Sequence, residues 1–118
     1  MHVFDIRDSE VRRVDLPHGG TIYVCFVDAY QYPVGFVWGA DSGRNVFEVA
    51  GSWTEPWCRR QGVRTRINVA ILKDFPTIRT NWGSESGGAA FMKSQGYQFQ
   101  KGARCFTLQR PKKGHVNG

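Results

Sequence analysis

The chain has 118 residues, 41% of them hydrophobic, and a formal net charge of +6. A chain of this length can bury one hydrophobic core but not two, so we expect a single domain. No apolar run approaches the length of a membrane-spanning helix, and the first residues lack the basic and apolar regions of a signal peptide.

The sequence pattern predicts an α/β domain in which four strands precede the first helix. The strand segments are rich in β-branched and aromatic residues, and turn-forming residues cluster between them. The predicted elements are strands at residues 11–16, 21–28, 34–39 and 46–54, a helix at 61–73, a strand at 77–81, a helix at 86–95, and a final hairpin of strands at 97–100 and 104–109. Ser86 is a candidate N-cap and Gly96 a candidate C-cap of the second helix.

Charge is divided unevenly along the chain. Residues 1–58 carry a balance of −4, whereas residues 59–118 carry a balance of +10. A basic second half suits a polyanionic cofactor, and it suits nucleic acid equally well. We expect the domain to span residues 1–110 and to be followed by a basic, disordered tail at 111–118.

Three cysteines, Cys25, Cys58 and Cys105, are widely spaced and odd in number. This spacing predicts neither a disulfide framework nor a metal site. Because Cys25 and Cys105 lie in strand-like segments, we expect them to be buried as small hydrophobic residues. The expected compartment is a reducing cytoplasm.

The segment between the fourth strand and the first helix, Cys58-Arg-Arg-Gln-Gly-Val-Arg-Thr65, is typical of an anion site. A helix N-terminus has unpaired amides and a partial positive charge. Gly62 has no Cβ and allows close approach of a ligand to the backbone. A basic turn that only begins a surface helix would explain these eight residues equally well.

The wider sequence resembles the GNAT superfamily of N-acetyltransferases. Arg59-x-x-Gly62-x-Arg64 is similar to the signature Gln/Arg-x-x-Gly-x-Gly/Ala of that family, and Trp53-Thr-Glu-Pro56 to the strand end that commonly precedes it. The segment 86–97 resembles the family's later helix. The resemblance implies a mixed, mostly antiparallel central sheet flanked by about two helices.

The resemblance also implies a cofactor and a reaction. The cofactor is acetyl-CoA, and its acetyl group is transferred directly to an amine-bearing acceptor. The residues expected at the cofactor are Ser52, Trp53, Thr54, Arg59, Arg60, Gln61, Gly62, Val63, Arg64 and Thr65.

Two positions depart from the family pattern. Arg64 replaces the last Gly/Ala of the signature, so its long side chain must point away from the pyrophosphate or fold over it. Met92 stands where the family often has a tyrosine that serves as general acid, and a thioether cannot donate a proton.

Two glutamates are candidates for the general base. Glu48 lies at about the place of a catalytic glutamate in the histone-acetylating branch of the family, and partial desolvation in an apolar strand would suit that role. Alternatively, Glu48 lies on a solvated sheet face and pairs with an arginine. Glu55 is the second candidate, although its place beside the arginines favours a structural ion pair.

The family usually has two helices between its first two strands, but only residues 17–20 separate them here. The resemblance then implies an open acceptor face, which suits a macromolecular acceptor such as a protein or a nucleic acid, or a second subunit of a homodimer. Core packing explains Trp38 and Trp53, whereas Trp57 and Trp82 are expected in loops. Two alternatives stay open: a small basic nucleic-acid-binding module, and a GNAT-like protein that binds CoA without catalysis.

Overall fold

The structure, a computed structural model, describes residues 6–27, 32–81 and 88–111. These residues form seven strands and two α-helices, together with short 3-10 turns at Ile6–Asp8 and Pro56–Cys58. The elements in chain order are β1 (Ser9–Asp15), β2 (Thr21–Val27), β3 (Gly35–Asp41), β4 (Val46–Thr54), α1 (Val63–Asp74), β5 (Thr77–Asn81), α2 (Gly88–Ser94), β6 (Gln98–Gln100) and β7 (Cys105–Gln109). Neither helix of the described ranges has the length and apolar run needed to cross a bilayer.

All seven strands belong to one sheet with the order β1-β2-β3-β4-β5-β7-β6. Only the β4–β5 pair is parallel, because α1 carries the chain back over the sheet between these strands. The mixed, mostly antiparallel α/β architecture is therefore confirmed. The predicted hairpin around residues 101 and 102 is confirmed as well, since β6 and β7 pair antiparallel.

Most predicted boundaries differ from the observed ones only at their ends. The strands at 46–54 and 77–81 have the predicted bounds, whereas α1 begins at Val63 rather than at residue 61. The later start has a local cause: Arg60 and Gly62 have φ values of 64° and 90°, which a right-handed helix cannot include. The candidate cap Ser86, residue 28 and the predicted tail beyond residue 111 lie outside the described residues.

The hydrophobic core lies between α1 and one face of the sheet. Alternate residues of β2 are fully buried, and Ile67 and Ile71 of α1 pack in the same core cluster. Cys25 and Cys105 are buried, as predicted, and Cys58 is buried too.

The second helix lies on the same side of the sheet as α1. Met92 of α2 and Tyr97, which follows it, pack against the core, and a Cβ on Gly96 would contact Leu108 of β7. Leu108 pairs with Ile78, whose side chain points into that core. Within the described residues, the opposite face therefore carries no helix. We call its apolar residues the open face; they are Ile22, Val24, Phe26, Phe36, Trp38 and Trp53.

The prediction that Trp38 and Trp53 pack in the core is wrong, since their side chains are 42% and 39% exposed. Trp38 follows the regular alternation of β3, in which its neighbours Val37 and Gly39 are buried, whereas Trp53 is turned outward by a β-bulge in β4. Trp38 pairs with Gly51 and Gly39 with Val49, so Ala50 is an extra residue without a partner on β3. The bulge reverses the alternation of β4, and Trp53 therefore points away from the core that contains Val49.

Candidate cofactor site

Strands β4 and β5 separate halfway along β4. They pair from Val46 and Thr77 as far as Val49 and Thr80, and the Ala50 bulge follows immediately. The rest of β4 pairs with β3 alone. Within the described chain, the β5-facing backbone edge from Gly51 to Thr54 therefore has no strand partner, and its N–H and C=O groups are available to a ligand.

Helix α1 begins beside this free edge. Val63 packs against Gly35, where an added Cβ would lie 2.7 Å from its Cγ1, and Gly35 is the β3 partner of Thr54. Gly62 is the N-cap with φ 90° and ψ 8°, and no side chain of the described residues caps the helix. The first amides of α1 are thus free to bind an anion, which the helix dipole also favours.

The residues predicted at the cofactor differ in what they can offer it. Ser52, Arg59 and Arg60 are exposed around the α1 start and the end of β4. Trp53 is partly exposed on the open face. Val63 is buried in the core, so only its main-chain amide can contact a ligand.

Three other predicted residues are held by neighbouring groups. The side-chain amide of Gln61 donates a hydrogen bond from Nε2 to the main-chain carbonyl of Trp57 at 2.9 Å. The hydroxyl of Thr65 donates to Oε1 of Gln95 at 2.8 Å. Thr54 is half-buried opposite Gly35. Gln61 and Thr65 therefore shape the turn and join α1 to α2, and their main-chain amides stay at the helix start.

Arg64 does not extend toward solvent at the mouth of the site. Its side chain is only 7% exposed, and its Nε and Nη2 donate hydrogen bonds to Oδ1 of Asn68 at 3.1 Å and to the hydroxyl of Tyr97 at 3.3 Å. The guanidinium also lies within about 6 Å of the rings of Phe91 and Tyr97. Of the two alternatives predicted for this side chain, the structure shows it pointing away from the helix start.

The Arg64 guanidinium is a buried cation whose hydrogen-bond acceptors in the described structure are neutral. Burying a charge without an ion partner is costly, so the hydrogen bonds and ring faces must offset the lost hydration. Burial in turn raises the pKa of the Tyr97 phenol above its ordinary value, although the nearby guanidinium opposes this shift. The cation sits in the first turn of α1 and adds its field to that of the helix N-terminus.

Glu48 forms an ion pair across the parallel strands. Its Oε1 accepts a hydrogen bond from Nη2 of Arg79 at 2.6 Å, and the two side chains are 41% and 38% exposed. The hydrogen bond to Glu48 raises the pKa of Arg79. The structure therefore shows the alternative in which Glu48 is not desolvated in an apolar strand but lies on a partly solvated sheet face and pairs with an arginine. The pair lies one residue before β4 and β5 stop pairing.

Glu55 does not form the expected ion pair with any residue that the structure describes. Its main-chain N–H donates to the carbonyl of Val34, and its carbonyl accepts from the N–H of Cys58. These bonds fix the turn between β4 and α1. The thiol of Cys58 is buried, which raises its pKa to about 11 and makes it a poor nucleophile at neutral pH.

Met92 is half-buried and packs against the core, so the side chain at the family's acid position is part of the packing. The contacts of Asn68, Tyr97 and Arg79 could not be predicted from the sequence motifs. Asn68, which no motif distinguishes, and Tyr97, the last residue of the segment 86–97, hold Arg64. Arg79 becomes the partner of Glu48 only through the register of a parallel strand pair.

No protein-family model matches the sequence, and no curated protein is similar to it in sequence. Solved structures share the fold. An IAA acetyltransferase from Bacillus cereus is 10% identical with a TM-score of 0.61, and the alignment covers 86% of this chain and 99% of that one. An acetyltransferase of the GNAT family from Staphylococcus aureus is 11% identical with a TM-score of 0.59, over 77% of this chain and 68% of that one.

The chain has the GNAT fold. A further GNAT-fold neighbour is a Bacillus anthracis structure assigned as a streptothricin acetyltransferase and solved in complex with acetyl coenzyme A; it is 12% identical with a TM-score of 0.62, over 91% of this chain and 89% of that one. The resemblance to the GNAT family is thus confirmed at the level of the fold. At these identities the agreement concerns backbone architecture, and the roles of individual residues remain predictions.

Proposed function

We propose that the protein is an N-acetyltransferase that moves an acetyl group from acetyl-CoA to an amine. The observation that carries this proposal is the separation of β4 from β5 at Ala50, directly beside the uncapped start of α1. The free strand edge offers main-chain N–H and C=O groups, and the helix N-terminus beside it offers an anion site. Acetyl-CoA needs this combination, because an amide-containing arm is joined to a pyrophosphate.

The pyrophosphate would bind at the first turn of α1. The amides from Val63 to Thr65 point along the positive end of the helix dipole, and Gly62 leaves room for close approach. Arg59 and Arg60, both exposed, would add charge-assisted hydrogen bonds. Arg64 would contribute its main-chain amide and its buried positive charge rather than a direct side-chain contact.

The pantetheine arm would pair with the free edge of β4 from Gly51 to Thr54. A main-chain N–H there could polarise the thioester carbonyl and stabilise the oxyanion that forms when the amine attacks. Direct transfer is favoured over a cysteine-linked intermediate, because the Cys58 thiol is buried and its pKa is raised to about 11. Alignment of amine and thioester would supply much of the rate enhancement.

Glu48 remains the proposed general base, with Glu55 as the second candidate. Glu48 lies just before the strand separation, and its carboxylate is 41% exposed, so an amine or a bridging water can reach it. Arg79 would hold the carboxylate in one orientation. Because Met92 offers no proton, the leaving thiolate would receive its proton from water or from the acceptor amine.

The acceptor class is proposed only as an amine. The Bacillus anthracis neighbour is assigned as a streptothricin acetyltransferase, and another neighbour is a nourseothricin acetyltransferase. A macromolecular amine on a protein or nucleic acid stays within the proposal. The three buried free cysteines fit the predicted reducing cytoplasm.

Thermal melting with acetyl-CoA, and separately with oligonucleotides, tests the proposal, since a ligand that binds the native state raises the Tm. We expect acetyl-CoA to stabilise the protein and the oligonucleotides to have no effect. A mass-spectrometric screen of amines should then detect the gain of one acetyl group. Stabilisation by acetyl-CoA without transfer to any amine would favour cofactor binding without catalysis. Stabilisation by oligonucleotides alone would reject the proposal.

A further inference from the structure

The acceptor amine would reach the thioester from the side of the sheet that carries the open face. The proposed cofactor site lies where β4 and β5 separate, and α1, α2 and the core occupy the other side of the sheet. Glu48, the proposed base, points to the same side as the open face, because its strand neighbours Phe47 and Val49 both point into the core. The body of the acceptor would therefore lie against the open face.

The open face is apolar in both central strands. A sheet with one solvated face normally alternates apolar and polar residues along each strand, but the residues of the open face on β2 and β3 are all branched or aromatic. Ile22 pairs with Trp38, and Val24 pairs with Phe36. Phe36 in turn stacks on Trp53 at 5.9 Å between ring centroids. This surface offers a ligand hydrocarbon and ring faces to pack on, which suits an apolar body.

Trp38 joins the open face to the proposed cofactor site. Its partner on β4 is Gly51, the first residue of the free strand edge, and a Cβ added to Gly51 would lie 2.5 Å from the indole nitrogen. The indole therefore lies directly against the strand at which the thioester arm would pair. Ala40, two residues along β3, pairs with Glu48. Trp38 and Glu48 are thus diagonal neighbours, with Cα atoms about 7–8 Å apart.

The charges beside the open face suit one cation and not several. On β1, Arg12 lies 3.2 Å from Glu10. On the opposite flank, Arg79 lies 2.6 Å from Glu48. Both pairs are neutral as a whole, so the described outward positions of β1 to β5 hold no surplus of carboxylates for a polycation, and the net charge of +6 also opposes one. A single ammonium group can approach Glu48, and the ring face of Trp38 attracts it as well.

We propose that the acceptor is a small monoamine, in which one ammonium group is joined by a short chain to an aromatic body, and that Trp38 determines this specificity. The inference rests on the proposed function and narrows its acceptor class. The amino group would lie at Glu48. The aromatic body would lie on Trp38, with Ile22 and Phe36 beside it. A linker of about two carbon atoms spans the distance between such diagonal neighbours.

The transfer balances without a further reactant. The ammonium group gives one proton to Glu48, and the lone pair of the amine nitrogen then attacks the thioester carbonyl carbon. A C–N bond forms, the C–S bond breaks, and the electron pair of that bond leaves with sulfur. The nitrogen loses its second proton to the thiolate, so the products are the N-acetylated amine, the thiol of CoA and the proton taken by Glu48. The product amide is neutral and no longer pairs with the carboxylate, which favours its release.

Steady-state transfer to three amines tests the inference on the wild-type chain. The amines are phenethylamine, butylamine, which lacks the ring, and spermidine, which carries additional charges. Because stacking and burial of the ring act on phenethylamine alone, its kcat/KM should exceed that of butylamine by about tenfold or more. Spermidine should be the poorest acceptor of the three. This comparison depends on no variant.

Variants at Trp38 test the assigned residue. Trp38→Ala should lower kcat/KM for phenethylamine by about tenfold and leave that for butylamine nearly unchanged, whereas Trp38→Phe keeps a ring and should retain most of the preference. Val69, which is 48% exposed on α1, provides the matched control Val69→Ala, with an unchanged preference. Titration calorimetry of phenethylamine into the protein saturated with CoA adds a measurement without chemistry, and Trp38→Ala should weaken this binding by a similar factor.

Failure of the inference and failure of the proposed function give different results. The inference is overturned, and acetyl transfer stands, if butylamine or spermidine is acetylated as efficiently as phenethylamine. A folded Trp38→Ala protein with the wild-type preference overturns it as well. Binding of phenethylamine through Trp38 without its acetylation supports the assigned ligand and rejects the transferase activity. Phenethylamine that neither reacts nor binds to the CoA-loaded protein overturns the inference in every case.

Discussion

Tyr97 and Arg64 are joined by a buried hydrogen bond in which the guanidinium donates to the phenol oxygen at 3.3 Å. The same hydroxyl donates to Oδ1 of Asn68 at 3.1 Å, and this oxygen also accepts from Nε of Arg64. The three side chains form a closed network between the first two turns of α1 and Tyr97, the third residue after α2. Together with the bond from Thr65 to Gln95, this network couples the proposed cofactor site to the end of the late helix.

Replacing Tyr97 with phenylalanine should destabilise the protein by about 1–3 kcal/mol, because a buried cation loses one acceptor. The ring and its packing are retained, so the fold should survive. Urea denaturation measures the change. Equal stability of Tyr97→Phe and wild type would show that the network contributes nothing.

Stability should fall at alkaline pH. Burial raises the pKa of Tyr23 and of Tyr97 in the folded state, and the hydrogen bond to Asp74 raises that of Tyr23 further. The stability that a raised tyrosine pKa contributes is fully present below the pKa of tyrosine in the unfolded chain, which is about 10. This stability is lost as the pH rises beyond that value. The midpoint of urea unfolding should therefore decrease above about pH 10, and less steeply in Tyr97→Phe. A midpoint that stays constant with pH in that range would contradict the burial argument.

The arginines around the cofactor site should separate into two groups. Arg59→Ala and Arg60→Ala should each weaken acetyl-CoA binding by about 1–3 kcal/mol and make the binding less dependent on salt. The Tm of both variants should not change, because both side chains are exposed. Arg64→Ala should chiefly lower the Tm, because its side chain is buried and bonded. Titration calorimetry at two ionic strengths and thermal melting measure these effects. The grouping is wrong if Arg64→Ala keeps its Tm while Arg59→Ala unfolds.

Gly62 should be required both for backbone conformation and for ligand approach, and two variants can separate these roles. Asparagine tolerates a positive φ, so Gly62→Asn should stay folded and weaken acetyl-CoA binding. Valine is β-branched, and Gly62→Val should also lose about 1–2 kcal/mol of stability. Gly43, with φ 86° and nothing within 4 Å of an added Cβ, is the control position. If Gly62→Asn binds acetyl-CoA as tightly as Gly43→Asn does, the cofactor does not approach this turn.

Glu48→Gln should lower turnover by about 100- to 10,000-fold while acetyl-CoA binding is retained. The ion pair with Arg79 is partly solvated, so its loss should cost at most about 1 kcal/mol of stability and cannot explain such a decrease. Steady-state transfer across pH measures the effect, with Arg79→Met as the control that breaks the pair but keeps the carboxylate. Met92→Ala should act through packing alone. Wild-type turnover and an unchanged pH profile in Glu48→Gln would move the base to Glu55 or to a bound water.

The order of elements could be predicted from local patterns, whereas the roles of several side chains could not. The segments 46–54 and 77–81 are bounded by turn residues and rich in strand formers, and both strands have those bounds. Trp53 shares its parity with Phe47 and Val49, so strict alternation along β4 would also place it in the core. A bulge breaks that alternation, and nothing in the local sequence distinguishes Ala50 as the extra residue.

Arg64 is a different case. Two orientations of its side chain were predicted, over the pyrophosphate or away from it. Helical spacing also places it near Ile67, Asn68 and Ile71, which are all buried, and this favours the second orientation. That spacing was a usable signal. The ion pair of Glu48 with Arg79 had no such signal, because the register of two parallel strands depends on the crossover helix and the whole core.

The bulge makes the length of β4 a determinant of ligand access. Deleting Ala50 would return the residues after it to regular alternation, turn Trp53 toward α1, and allow β4 to continue its pairing with β5. Loops such as residues 17–20 can usually gain or lose residues at little energetic cost. Within β4, the loss of one small, exposed residue without chemical function would instead close the gap between the two strands.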